Sequence, residues 1–319
     1  MENTLILLIG MFLEIFFLWP NFLYKIIKHP IIWVGGLIKL IEDNLNKEEF
    51  SYNLKKFFGF LTLFICVFVG LAFFKILSKV FNDFLFVEIF YIFIVWSLMC
   101  SRSLYVHIKE ICDNLKINNL KKAKYSLSKV VGRDTKNLNK KAIIRASLES
   151  LSESTSDGIV APIFWYLLFG IPGLIIFKIV NTLDSMIGYK TKKYFAFGYA
   201  SAKMDDLLNF IPARITGLVF VLLSSNPFST LRIMLKNATK LNSPNAGWPE
   251  SAFAGALMIR LGGPKSYSGI PNNDKWLNET KSDPTNEKFE EGLKLYKKSI
   301  FVVILTITFY LFCQFIKNL

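Results

Sequence analysis

Residues 159–189 read "IVAPIFWYLLFGIPGLIIFKIVNTLDSMIGY". The apolar run from Ile159 to Val180 is interrupted by Gly170, Pro172, Gly173 and Lys178, and it has the roughly 20 residues a helix needs to cross a hydrocarbon core. It ends on Asn181 and the carboxylate of Asp184. Further apolar windows lie outward from it, near 3–19, 57–77, 84–106, 207–225 and 300–317. The 319 residues are 52% hydrophobic and 15% aromatic, with a mean hydropathy of +0.39, too apolar for an ordinary soluble domain. The expected fold is all-α, a multi-pass integral membrane protein of about five to six membrane helices with long polar, helical loops. One domain is expected over 1–319. The first window carries Glu14 and lacks a basic leader or small-residue cleavage site, so it reads as a retained helix.

The 38 Lys+Arg against 24 Asp+Glu give a net charge of +14. In a membrane chain such an excess follows from positive-inside loops and anionic headgroups. No nucleic-acid module accompanies it, so membrane lipids and not nucleic acid are the expected partner. Residues 109–145, "KEICDNLKINNLKKAKYSLSKVVGRDTKNLNKKAIIR", are the most basic and should face the cytoplasm of a cell-membrane protein. A full crossing at 159–181 would put "NTLDSMIGYKTKK" on the opposite side from that loop. "GIPG" at 170–173 offers a way out: a break there leaves two halves of about eleven residues, too short to span, which is the pattern of a re-entrant hairpin. The stretch 268–287 reads as a linker, and Phe289, Leu293 and Tyr296 after it mark an amphipathic surface helix. Cys66, Cys100, Cys112 and Cys313 show no metal or redox spacing.

Four constellations carry ionisable groups. In "RASLESLSESTSDG", residues 145–158, Arg145, Glu149 and Glu153 share a helix face that leads into the membrane segment. Such a row is either a solvated face with an i,i+4 ion pair or part of a site. In the opening stretch Asn181, Asp184, Ser185 and Gly188 share a face, a plausible Mg²⁺ or phosphate set. "SAKMDDLLNFIPARITG" at 201–217 offers Asp205 or Asp206 with Asn209 as another metal-type pattern, and Arg214 beyond Pro212 as a cation for an anion. In "NAGWPESAFAGALMIRLGGP" at 245–264, Glu250 opens a helix, Arg260 lies near its end, and "LGGP" presents backbone N–H groups that suit a plain turn or an anion cradle. The chain has neither a P-loop nor GxGxxG, GxSxG or HExxH.

Taken in order, these blocks resemble one family, the CobD/CbiB cobalamin-biosynthesis proteins, or adenosylcobinamide-phosphate synthases. The resemblance runs through "HPIIWVGGLIKLIEDNLN" at 29–46, "VVGRDTKNLNKKAIIRASLESLSESTSDGIVAPIFW" at 130–165, "KIVNTLDSMIGYKTKKYFAFGYASAKMDDLLNFIPARITG" at 178–217 and "NAGWPESAFAGALMIRLGGPKSYSG" at 245–269. Ser154 and Lys203 depart from the family's usual Asn and Arg.

The resemblance implies an ATP- and Mg²⁺-dependent amide ligation. It joins the free propionate of adenosylcobyric acid to aminopropanol phosphate or a related amino alcohol, with other corrin-pathway enzymes as possible partners. A carboxylate must first be activated as an acyl phosphate or adenylate, a step that needs metal and cations around the transferring group. On that basis Asp184, Asp205 and Asp206 are assigned to Mg²⁺, and these acids with Glu149 and Glu153 to catalysis. Arg133, Arg145, Arg214 and Arg260 are assigned to phosphate or propionate, with Asn181, Ser185, Lys203, Asn209, Asn245 and Glu250 as further substrate contacts. Two other readings are a corrin-pathway scaffold or transporter, and a Mg²⁺-dependent membrane prenyltransferase, whose further aspartates are missing here.

Overall fold

The computed structural model describes residues 3–81, 84–267 and 269–317. Helices dominate it, as expected. Among the described residues four helical stretches have the length and composition to cross a membrane: Tyr52–Val80, Leu85–Lys116, Lys140–Ile187, which is interrupted at Gly170, and Asn286–Lys317. Asn3–Phe16 and Asn21–Leu45, bent by 98°, make a fifth if taken as one span. The 207–225 window yields only Phe210–Leu222, 13 residues, or about 20 Å at 1.5 Å per residue, short of a core of roughly 30 Å.

Contacts divide the chain into two compact units, each assembled from separate stretches. The first comprises Met1–Cys100 and Ala161–Asn209. Its helices begin at side-chain caps: His29 Nδ1 accepts from Ile31 N ahead of Pro30, and Ser51 Oγ accepts from Leu54 N, satisfying donors that a helix start leaves open. Ile38, Leu63, Ile179, Leu183, Ile187 and Phe197 meet in its core.

The apolar segment of this unit breaks where the sequence places its Gly-Ile-Pro-Gly. Gly170 adopts φ 65° and ψ −153° inside Ala161–Ile187, a region essentially closed to other residues. Beyond it Gly173 lies so close to Trp165 that a Cβ would stand 2.3 Å from the Trp165 carbonyl oxygen. Eight residues apart, these positions would be about 12 Å apart in a straight helix, so the chain turns back at Gly170.

The second unit comprises Ser101–Val160 and Phe210–Leu319. Asn139 Oδ1 accepts from Ala142 N to cap Lys140–Thr155, and a π-helical turn, Ser156–Val160, follows. The small-residue helix Gly247–Leu257 is buried along most of its length and ends at Met258 in the left-handed conformation (φ 55°). Asn278 closes that end by donating to the carbonyls of Ala254 and Ile259.

Two expectations are corrected here. The 268–287 stretch is not a linker: Leu261–Gly262 pairs antiparallel with Trp276–Leu277, and Lys265–Tyr267 with Ile270–Asn272. Nor is there a separate surface helix after it. Phe289, Leu293 and Tyr296 are buried in the first turns of Asn286–Lys317, one continuous helix of 32 residues.

Candidate functional site

Glu149 lies at the centre of the second unit's polar cluster. Its side chain is buried, with Oε2 accepting from Arg133 Nη2 at 2.8 Å and facing Lys265 Nζ at 3.2 Å. Its other oxygen accepts from the backbone N–H of Gly262 at 2.7 Å. Of the "LGGP" backbone N–H groups, that of Gly262 meets the Glu149 carboxylate, while that of Gly263 donates to the Lys275 carbonyl oxygen. Gly262 can take this post because its φ is 73°, with the Lys275 carbonyl oxygen 2.6 Å from where a Cβ would be. Asp274 shares Lys265 at 3.6 Å, so two cations meet two carboxylates.

The expected solvated face with an Arg145–Glu149 pair is therefore not formed. Glu149 turns inward to Arg133 and Lys265, while Arg145 pairs with Asp283. Glu153, one turn on, is exposed.

Glu250, in the first turn of Gly247–Leu257, is 3% exposed, and its Oε2 has no hydrogen-bond partner among the described residues. Burial pushes its proton affinity well above the ordinary carboxylate range; Glu149 and Glu153 add to this, while Lys265 and Arg133 oppose it. Burial thus favours the protonated form of Glu250 over that of the other carboxyl groups in the cluster.

A second grouping joins two of the expected arginines. Asp283 accepts from Arg260 Nε at 3.1 Å and Nη2 at 2.9 Å, and also from Arg145. Both guanidiniums lie over the Trp276 ring, at 4.9 and 4.3 Å. The Arg260 hydrogen bonds hold the Asp283 carboxyl below its usual range. One carboxylate serving two guanidiniums leaves the group with a net positive charge, suited to an anion. Arg214 lies over Phe210 and Trp248 and reaches Asn245 Oδ1 at 3.5 Å.

In the first unit, Asp205 is buried and accepts from Asn181 Nδ2 at 3.2 Å and Asn209 Nδ2 at 3.0 Å. Burial raises its proton affinity, partly offset by these two donors. Asp206, next along the helix, is turned instead toward Lys203 at 3.5 Å, since successive residues on a helix point about 100° apart. Asp184 lies in the last turn of Ala161–Ile187, and its Oδ1 would stand 1.9 Å from a Cβ at Gly188. Ser185 Oγ donates to the Asn181 carbonyl.

Among the described residues no three His, Cys, Asp or Glu side chains gather as a metal site. Asp184, Asp205 and Asp206 therefore do not form one cage: Asp205 is directed at its two amides and Asp206 at a lysine. A Mg²⁺ ion carried by substrate phosphates would need only one or two carboxylates from the protein. Asp184 lies at a helix C-terminus, where the carbonyl end of the dipole favours a nearby cation.

The family described as CobD/Cbib protein matches residues 7–296. The chain belongs to the CobD/CbiB family. Its curated relatives, each called cobalamin biosynthesis protein CobD, include one from Rhodobacter capsulatus, 41% identical over 286 residues, covering 88% of this chain and 89% of that one. Others come from Brucella suis, 38% identical over 88% of each chain, and Clostridium tetani, 35% identical over 88% of this chain and 92% of the other. No solved structure matches.

Within this CobD/CbiB chain, Lys265, Asp274, Asp283 and Trp276 are the contacts that sequence reasoning missed. Lys265 directly follows the glycine turn that attracted attention, and a lysine after Gly-Gly-Pro was the available signal. The other three lie in the stretch that read as linker, where no periodicity marks strands of two or three residues.

Proposed function

We propose that this protein is an ATP-dependent amide ligase of cobalamin biosynthesis, joining the free propionate of adenosylcobyric acid to aminopropanol phosphate or a related amino alcohol. The observation that carries the reading is the buried polar cluster around Glu149, with the unpartnered acid of Glu250 beside it, inside a chain of this family. ATP with Mg²⁺ supplies the activation that makes a carboxylate an acyl donor.

The chain's own groups then divide the work by their chemistry. Glu149 is tied up by two cations and a backbone N–H, so it positions Arg133 and Lys265 instead of moving protons. Glu153 is the exposed carboxylate of that helix and takes the proton lost by the attacking amine. Glu250 donates a hydrogen bond to substrate oxygen. Arg145 and Arg260, already fixed on Asp283 and Trp276, hold phosphate or propionate, and Arg214 with Asn245 offers a further anion contact. Asp184 would hold Mg²⁺ brought in by ATP, which would supply positive charge at the transferring phosphate. Asn181 and Asn209 keep Asp205 oriented, with Ser185 and Lys203 at the margin. The polar loops carrying these groups face the cytoplasm of the cell membrane.

The test is incubation of the detergent-purified protein with adenosylcobyric acid, aminopropanol phosphate, ATP and Mg²⁺, followed by mass spectrometry for the amide and identification of ADP or AMP. Amide with ADP supports acyl phosphate, and amide with AMP supports adenylate. No amide from folded protein, with other amino alcohols also tried, overturns the reading. For Asp184→Ala the expectation is a loss of about 10²-fold or more in turnover, as for removal of one electrostatic group at a reacting centre; unchanged turnover in a well-folded variant removes Asp184 from the reaction.

A further inference from the structure

The first unit contains an apolar cavity of about 610 Å³ between Pro30–Leu45, Tyr52–Val80, Phe84–Leu98 and the part of Ala161–Ile187 beyond its break. That volume falls in the roughly 300–1,000 Å³ range of ligand pockets. Aromatic side chains, among them Trp33, Phe73, Phe90 and Phe93, form much of the wall, and Lys178 is the one charged side chain in it. Ser97, also in the wall, spends its hydroxyl on the Ile94 carbonyl. Lys178 is half-buried; its ammonium has no direct hydrogen bond or ion pair among the described residues, although it lies within electrostatic reach of Asp205 and His29.

An ammonium beside an apolar cavity with no directly bonded counter-ion is costly unless it meets an anion or escapes to the interface. The ligand that suits this wall has a long apolar body and one anionic end. Neither partner of the proposed ligation has that form: the amino alcohol phosphate lacks the apolar body, and the corrin is rimmed with polar amides. A membrane phospholipid with an anionic headgroup has both parts.

We propose that this cavity holds an acyl chain of an anionic phospholipid whose phosphate pairs with Lys178. The inference is independent of the ligase reading. Trp33 in the wall supplies the probe. The full chain is placed in nanodiscs containing phosphatidylglycerol or phosphatidylcholine with brominated acyl chains. Quenching of the fluorescence that Trp33→Phe removes is then measured, and lipid retained after delipidation is identified by native mass spectrometry.

The expected result is quenching by phosphatidylglycerol at about fivefold lower mole fraction than by phosphatidylcholine, the effect of one lysine on an anionic headgroup. Lys178→Gln should abolish that preference and Lys178→Arg should keep it. Equal quenching by the two lipids in the wild type, a preference that survives Lys178→Gln, or retention of a free fatty acid in place of phospholipid would overturn the proposal. If the glutamine variant does not fold, the wild-type comparison of the two lipids decides alone.

Discussion

Glu149 and Glu250 are two carboxyl groups in one buried cluster, and their surroundings drive them apart. Glu149 has two cations and a backbone donor, whereas Glu250 Oε2 has no partner. Replacing Glu149 by Gln removes the charge that balances Arg133 and Lys265, and stripping one side of a buried ionic group costs about 3–5 kcal/mol. Thermal unfolding in detergent should show Glu149→Gln melting well below wild type, and an unchanged melt would mean the cluster is not a stabilising one. Glu250 behaves in the opposite sense. Its folded proton affinity is raised above the unfolded value, so its contribution to stability is complete below its unfolded pKa and is lost as pH rises toward the folded one. Glu250→Gln should therefore match wild type in acid and gain on it steadily as the pH is raised. A stability difference that stays flat with pH would refute a protonated Glu250. Much of this was legible at residue level: Arg133, Glu149 and Glu250 stand out by type and place. Their partners were not, because which cation meets which anion is decided by tertiary contacts that helical spacing does not encode.

At the scale of elements, the glycine turn after Gly247–Leu257 links the helix carrying Glu250 to the strand carrying Lys265 and, beyond it, the connection carrying Asp274. Its role follows from backbone shape: Gly262 donates to Glu149 only while its φ stays near 73°. Gly262→Ala adds the cost of a left-handed residue, about 1–2 kcal/mol, and drives a methyl against the Lys275 carbonyl oxygen. We expect a lowered melting temperature together with reduced amide formation, since the same shift loosens the Glu149 cradle. Loss of stability with full activity would show that the turn only folds the chain and does not shape the site. The long apolar helices could be read directly, because lipid demands an unbroken apolar stretch. The paired strands could not, because runs of two or three residues carry no alternation to detect.

For the whole molecule, the open point is how the apolar segment meets the bilayer, and the sequence already contained the terms. Positive-inside bias would place the basic loops in the cytoplasm, and a single crossing at 159–181 would carry Lys190, Lys192 and Lys193 to the other side against that bias. The break at Gly170, with Gly173 folded back toward Trp165, leaves neither half to cross in the simple way. Lys190 is therefore expected on the cytoplasmic side. Cys66 and Cys112 are buried, but Cys100 and Cys313 are half-buried, so all four are first replaced by Ala or Ser. Lys190→Cys in that background should then react with an impermeant maleimide only in inverted or permeabilised membranes. Labelling from outside in intact cells would mean that the segment crosses despite its break. Gly170→Ala sharpens the test: its backbone conformation costs a non-glycine residue about 1–3 kcal/mol, so a chain that escapes the strain by straightening should begin to label Lys190→Cys from outside. A chain that keeps the hairpin should instead lose stability with the labelling side unchanged, and either result ties the orientation of Asp184 and its neighbours to one glycine.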